Sequence, residues 1–197
     1  MKFKKTISNK TLGTLLLITL VLSSCQNKED KSVKENSKSS IPMTKQESPS
    51  EDIHTATFLG NLKVVEEHIS YGTDLNKKDQ YGSTPLIIAV TFDKTEVAKA
   101  LIQAGVDLHI MNNEGSTPLH VAAFLCRTEI VKALLENGAD KNLRNNYGST
   151  VLESVSAPFS EAKVIYDQLS KDLGPLGFKL NYEHLEETRP IIAKMLQ

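Results

Sequence analysis

The chain has 197 residues, with 23 lysines and arginines against 24 aspartates and glutamates, 6% aromatic residues and no tryptophan. Removing residues 1–24 would delete four lysines and no acid, leaving 19 basic against 24 acidic groups, and residues 51–197 carry 14 against 20. A mildly acidic chain without a basic stripe has little with which to neutralise phosphates, and this argues against nucleic-acid binding.

In chain order, Lys2, Lys4, Lys5 and Lys10 come first, an apolar run from Leu15 to Leu22 follows, and Leu22-Ser23-Ser24-Cys25 closes it. That is the layout of a secretory signal. The apolar core falls short of the ~20 residues a spanning helix needs, so an anchored rather than a spanning protein is expected. Leu22-Ser23-Ser24-Cys25 resembles the lipobox of bacterial lipoproteins. The resemblance implies a diacylglyceryl group on the Cys25 sulfur, loss of residues 1–24 and Cys25 as the new first residue; the alternative is an unlipidated signal with an incidental cysteine. Two or more acyl chains, at ~0.8 kcal/mol per buried methylene, suffice for stable attachment. Gln26 stands where an aspartate would signal inner-membrane retention, which by family analogy implies the outer membrane, facing the periplasm or the cell surface. Lys28-Glu29-Asp30 resembles a short surface-export tag, and ordinary linker charge explains it as well.

Residues 25–50 form the acylated cysteine and a linker rich in Ser, Lys, Glu and Asn, with Pro42 and Pro49. Such a composition buries too little apolar surface to order itself, and predicts a flexible tether. With Cys25 acylated, Cys126 is the remaining cysteine and an intramolecular disulfide is ruled out.

From Tyr81 the chain repeats itself. Tyr81-Gly82-Ser83-Thr84-Pro85-Leu86 returns as Glu114-Gly115-Ser116-Thr117-Pro118-Leu119, an offset of 33 residues that recurs in Gly72, Gly105 and Gly138 and in Asp74, Asp107 and Asp140. A fixed period of this length predicts a stacked solenoid. Gly82 permits the positive φ of a tight turn, Thr84 can cap the first free amides, and Pro85 suits a first helical position. Leu86, Ala89 and Val90, and Leu119, Ala122 and Ala123, then fall at helical spacing. A second helix carries Val97, Leu101 and Ile102 in one unit, and Ile130, Val131, Leu134 and Leu135 in the next, ending at Gly105 and Gly138.

Thr117-Pro118-Leu119-His120, Asn137-Gly138-Ala139-Asp140 and the 33-residue spacing resemble the ankyrin repeat. The fold this implies is all-α: a solenoid of helix-turn-helix units with short β-turn tips and an extra C-terminal helix. Two units, 81–113 and 114–146, are nearly complete. A degenerate opening unit at about 51–80 has Glu51-Asp52 in place of Thr-Pro, and a degenerate closing cap at 147–176 has Val151 in place of Pro. The cap's second helix is expected from about Ser160 to Lys171. Gly174-Pro175-Leu176-Gly177 then stops it, and 181–197 reads as a last helix, kinked or split at Pro190, that covers the exposed edge.

Function follows from the resemblance, since ankyrin repeats are interaction modules whose concave side is built from turn tips and first-helix ends. Carried onto matching positions, the tips are Gln80, Tyr81 and Ser83, then Asn113, Glu114 and Ser116, then Asn146, Tyr147 and Ser149; the helix ends are Thr91 and Phe92, then Phe124 and Leu125. Tyr81 and Tyr147 would serve as rigid amphipathic anchors and the phenylalanines and Leu125 as an apolar floor, unless the latter pack internally. The expected role is non-enzymatic binding of a protein by a monomer, with no cofactor, metal or small-molecule substrate. An immunity or inhibitor role against a secreted toxin or hydrolase is the alternative, and it predicts a basic partner.

An enzyme would have to rest on Cys126 or on the histidines. His54, His68, His109, His120 and His184 form no short metal-ligand motif, and Cys126 has no cysteine partner for a structural zinc site. No adjacent base is visible to activate Cys126. His120 is expected to hydrogen-bond across repeats, as the family's histidine does. Glu66-Glu67 and Glu186-Glu187 are adjacent on helices and point apart, so neither is an acid and base pair.

Overall fold

The computed structural model describes residues 48–197; the expected signal, Cys25 and the expected tether up to residue 47 lie outside the described residues. Three hairpins come first: α1 (Ile53–Leu59) with α2 (Leu62–Tyr71), α3 (Pro85–Thr91) with α4 (Thr95–Gln103), and α5 (Pro118–Phe124) with α6 (Thr128–Glu136). α7 (Val151–Ser156), α8 (Phe159–Leu173), a 3-10 turn (Gly174–Leu176) and α9 (Tyr182–Leu196) complete the chain.

Each first helix begins for the reason the sequence suggests. Thr84, Thr117 and Thr150 hold extended backbone angles, and their hydroxyls accept from the amides of Ile87, His120 and Glu153. At α7 the missing proline is offset by a full capping box, in which the Glu153 carboxylate takes the Thr150 amide at 2.8 Å. In the opening unit Asp52 does the threonine's work, accepting from the amides of His54 and Thr55.

The helices stack in two rows. α1, α3, α5 and α7 pack side by side, as do α2, α4 and α6. Between the rows lies one continuous core that includes Val65, Leu86, Val90, Leu101, Leu119, Ile130 and Leu134, all fully buried. Small residues at Ala56, Ala89, Ala122 and Ala123 let the first helices approach closely. The hairpin turns use one backbone device: Gly60, Asp93 and Cys126, 33 residues apart, all have positive φ, at 76°, 55° and 55°.

The last unit departs from the expected order. α8 was expected as the second helix of the closing cap, but it is α9, the helix expected to cover the exposed edge, that packs along α7 and touches α5 and α6. α8 instead lies against the turn ends of the stack, where Tyr166 meets Phe124, and the segment after it carries Phe178 on to Phe92. The reason is in the side chains. α8 offers only Ala162 and Tyr166 to full burial, whereas α9 offers Leu185, Thr188, Arg189, Ile192 and Leu196. α9 also runs as one helix across Pro190, so of the kink or split expected there the split does not occur. Lys141 donates to the carbonyls of Leu196 and Gln197, at 2.6 and 3.0 Å, satisfying acceptors that a helix end leaves free.

Candidate functional site

Three turn tips project from the stack, at 79–83, 112–116 and 145–149, and all are built alike. The side-chain oxygen of Asp79 accepts from the amides of Tyr81 and Ser83, that of Asn112 from Glu114 and Ser116, and that of Asn145 from Tyr147 and Ser149, at 2.8–3.1 Å. Gly82, Gly115 and Gly148 close the turns onto the carbonyls of Asp79, Asn112 and Asn145. One acidic or amide oxygen thus fixes each loop on itself.

The tips are then tied to one another. Asn113 donates its amide to the Tyr81 carbonyl at 2.7 Å, and Asn146 repeats the bond to Asn113 at 3.0 Å while its backbone N–H donates to the Glu114 carbonyl at 3.0 Å. This explains two glycines. A Cβ on Gly82 would lie 2.2 Å from the Asn113 carboxamide oxygen, and one on Gly115 would lie 2.3 Å from that of Asn146. A second ladder runs beside the first: Asn76 accepts from the Asp107 amide, and His109, its counterpart 33 residues on, from the Asp140 amide.

With their loops fixed, the side chains of Tyr81, Glu114 and Tyr147 leave equivalent positions of neighbouring turns. Tyr81 is 72% exposed and Tyr147 77%, and Glu114 between them is exposed as well. Gln80, Asn113 and Asn146 are exposed, though the two asparagine amides are already engaged in the ladder; Ser83, Ser116 and Ser149 are half-buried. The tips form one rigid row whose two phenols and one carboxylate have no bonded partner among the described residues.

The helix-end half of the expected surface is not free. Leu125 is 3% exposed and belongs to the core, which corrects its assignment as a contact residue. Phe124 is half-buried under Tyr166, with ring centroids 4.6 Å apart and the Arg189 guanidinium 5.9 Å from its ring. Phe92 stands edge-on between Phe58 at 4.7 Å and Phe178 at 6.2 Å, and Thr91 turns its hydroxyl back to the Ile87 carbonyl. The chain's own C-terminal segment occupies the apolar floor.

At the centre of that segment sits a junction that sequence reasoning missed. Arg189, 3% exposed, donates to the Tyr166 hydroxyl at 2.9 Å and to the carbonyls of Ser154 and Ala157 at 3.1 and 3.0 Å. Tyr166 in turn donates to the Phe124 carbonyl. No carboxylate lies within ion-pair distance of Arg189 among the described residues, so its charge is met by these dipoles, including the carbonyls at the C-terminal end of α7. The available signal was weak: an arginine among apolar positions of a predicted helix, 23 residues from its tyrosine.

The residues with side chains suited to chemistry are otherwise engaged. His120 is buried, Nδ1 beside the Thr117 hydroxyl at 2.8 Å and Nε2 on the Ser149 carbonyl of the next unit at 3.2 Å, and burial holds its pKa below the usual histidine value. This is the cross-repeat bond expected from sequence. His54 bonds the Lys77 carbonyl, and His68 bridges Thr73 and the Glu51 carbonyl. Cys126 is 3% exposed, and burial pushes its thiol to about 11 despite Arg189 and Arg127 nearby. A thiol so placed stays protonated, and among the described residues its acceptor is the Leu185 carbonyl, 3.7 Å away. Among the described residues no group of three or more His, Cys, Asp or Glu is arranged to hold a metal ion, and no helix is long and apolar enough to cross a membrane.

Comparison with known proteins agrees with this geometry. Residues 53–145 match the family model described as ankyrin repeats (3 copies), and the match ends where the fourth unit departs from the pattern. No curated protein matches the chain.

Proposed function

We propose that this ankyrin-repeat stack is a non-enzymatic docking module, held at the bacterial outer membrane by acyl chains on Cys25 and binding a protein along its tip row. Ankyrin repeats imply a protein partner, and the observation that supports the tip row is the exposure of Tyr81 and Tyr147 on loops locked by side-chain and inter-repeat bonds. Tyrosine offers a large amphipathic surface with little side-chain freedom to lose, and a rigid loop has already given up its backbone entropy. The signal-like N-terminus and the linker after it supply the anchoring half of the reading. The acidic balance of residues 51–197, 14 basic against 20 acidic groups, also suits an inhibitor or immunity role against a basic secreted protein.

The test places a photo-crosslinking residue at Gln80 in the full chain and irradiates intact envelopes. One dominant adduct, lost in Tyr81→Ala/Tyr147→Ala while the melting temperature is unchanged, is expected. An unchanged adduct in the double variant would overturn the tip assignment. Metabolic labelling with a fatty acid tests the anchor separately: a chain whose label survives Cys25→Ser is not anchored there.

A further inference from the structure

We infer that the tip row recognises a protein segment in the extended polyproline II conformation, carrying a basic side chain at its centre and apolar side chains three residues to either side. This rests on the docking role just proposed and specifies its partner. The three side chains that leave the row are an aromatic ring, a carboxylate and an aromatic ring: Tyr81, Glu114 and Tyr147. Their amides are held by the same oxygen in each turn, and the bonds from Asn113 to Tyr81, from Asn146 to Asn113 and from Asn146 to Glu114 fix the three tips side by side.

The middle position is electrostatically open. Glu114 has no cationic partner among the described residues, whereas Arg144 at the third tip is already bonded to Glu153 at 2.7 Å. The other cations near the row, Lys77 and Lys78, precede the first tip, so the middle tip presents a bare carboxylate. A guanidinium or ammonium suits that position, since it can pair with the carboxylate.

Spacing defines the ligand's backbone. Packed helices lie about 10 Å apart, so adjacent tips are separated by about that distance. A polyproline II segment advances about 3.1 Å per residue and returns to the same face every three residues, so three residues span one tip to the next with each third side chain turned to the row. A segment of the pattern apolar-x-x-basic-x-x-apolar therefore puts its basic residue at Glu114 and its apolar residues at the two tyrosines. A helix rises too slowly to do this with seven residues.

The experiment follows backbone amide resonances of the isotopically labelled full chain as synthetic Phe-Ser-Ser-Arg-Ser-Ser-Phe, its Glu-centred counterpart or free agmatine is added to 1 mM. The Arg-centred peptide is expected to move Tyr81, Glu114 and Tyr147 together, with affinity falling at least tenfold in Glu114→Lys and weakening as salt rises from 50 to 500 mM. Agmatine and the Glu-centred peptide should leave the row unmoved. Equal binding of the Arg- and Glu-centred peptides would remove the basic-centre inference and leave the docking role standing. Agmatine acting as well as the peptide, or no peptide moving the row, also overturns it. The docking role is judged independently by the envelope adduct.

Discussion

Replacing Tyr166 by phenylalanine deletes one oxygen from the junction that joins α5, α7, α8 and α9. The ring still packs on Phe124, but the Phe124 carbonyl loses its donor and Arg189 loses one of its three acceptors. A hydrogen bond to a charged group contributes about 1.5–3 kcal/mol and a neutral one about 0.5–1.5, so the expected loss is about 2–4 kcal/mol. For a domain of this size about 2–4 °C of melting temperature accompanies each kcal/mol, and a fall of roughly 4–16 °C is expected. Because stacked repeats are stabilised between neighbours, the loss should concentrate at the C-terminal end. Calorimetry gives the total, and amide exchange should show α8 and α9 opening faster than α3 and α4. A double-mutant cycle with Arg189→Met isolates the pair, with a coupling of at least about 1 kcal/mol expected. If Tyr166→Phe melts within 1 °C of the wild type, the hydroxyl is satisfied by water and the junction contributes nothing through it.

Further outcomes follow from the same contacts. Gly82→Ala must hold a left-handed backbone, at roughly 1–2 kcal/mol, and also displace Asn113, so denaturant titration should show it about 1 kcal/mol less stable than Gly72→Ala, where a Cβ meets open space. The buried Cys126 thiol ionises at about 11 in the folded chain against 9.0 ordinarily, so deprotonation favours the unfolded state: stability should fall from pH 9 to 11 by about 2–3 kcal/mol, a slope reduced in Cys126→Ala. In the folded chain the same thiol should react with a disulfide reagent only at the rate of opening. His120 works in the opposite range. Its folded pKa is depressed by burial, so the unfolded chain takes up the proton first and stability should decline as pH falls below about 6.5, a decline missing in His120→Gln.

Where the sequence was legible, each signal was local and repeated. Thr84, Thr117 and Thr150 cap helices in the structure as their spacing suggested, and His120 bridges to the next unit. The tips also stood in the expected register, because a turn is specified by the few residues inside it. Phe92, Phe124 and Leu125 read differently. Their partners are Phe178, Tyr166 and the core, and the first two arrive from dozens of residues downstream.

Sequence alone therefore determined the period, the helices and their caps, since each depends on contacts within one unit or with an identical neighbour. Tertiary structure decided that α9 rather than α8 pairs with α7, which phenylalanines are covered and how Arg189 is neutralised. Those outcomes depend on competition between α8 and α9 for one apolar edge, and the winner is the helix with more apolar surface to bury and a cation to lay across the carbonyls of α7. No periodicity announces such a competition.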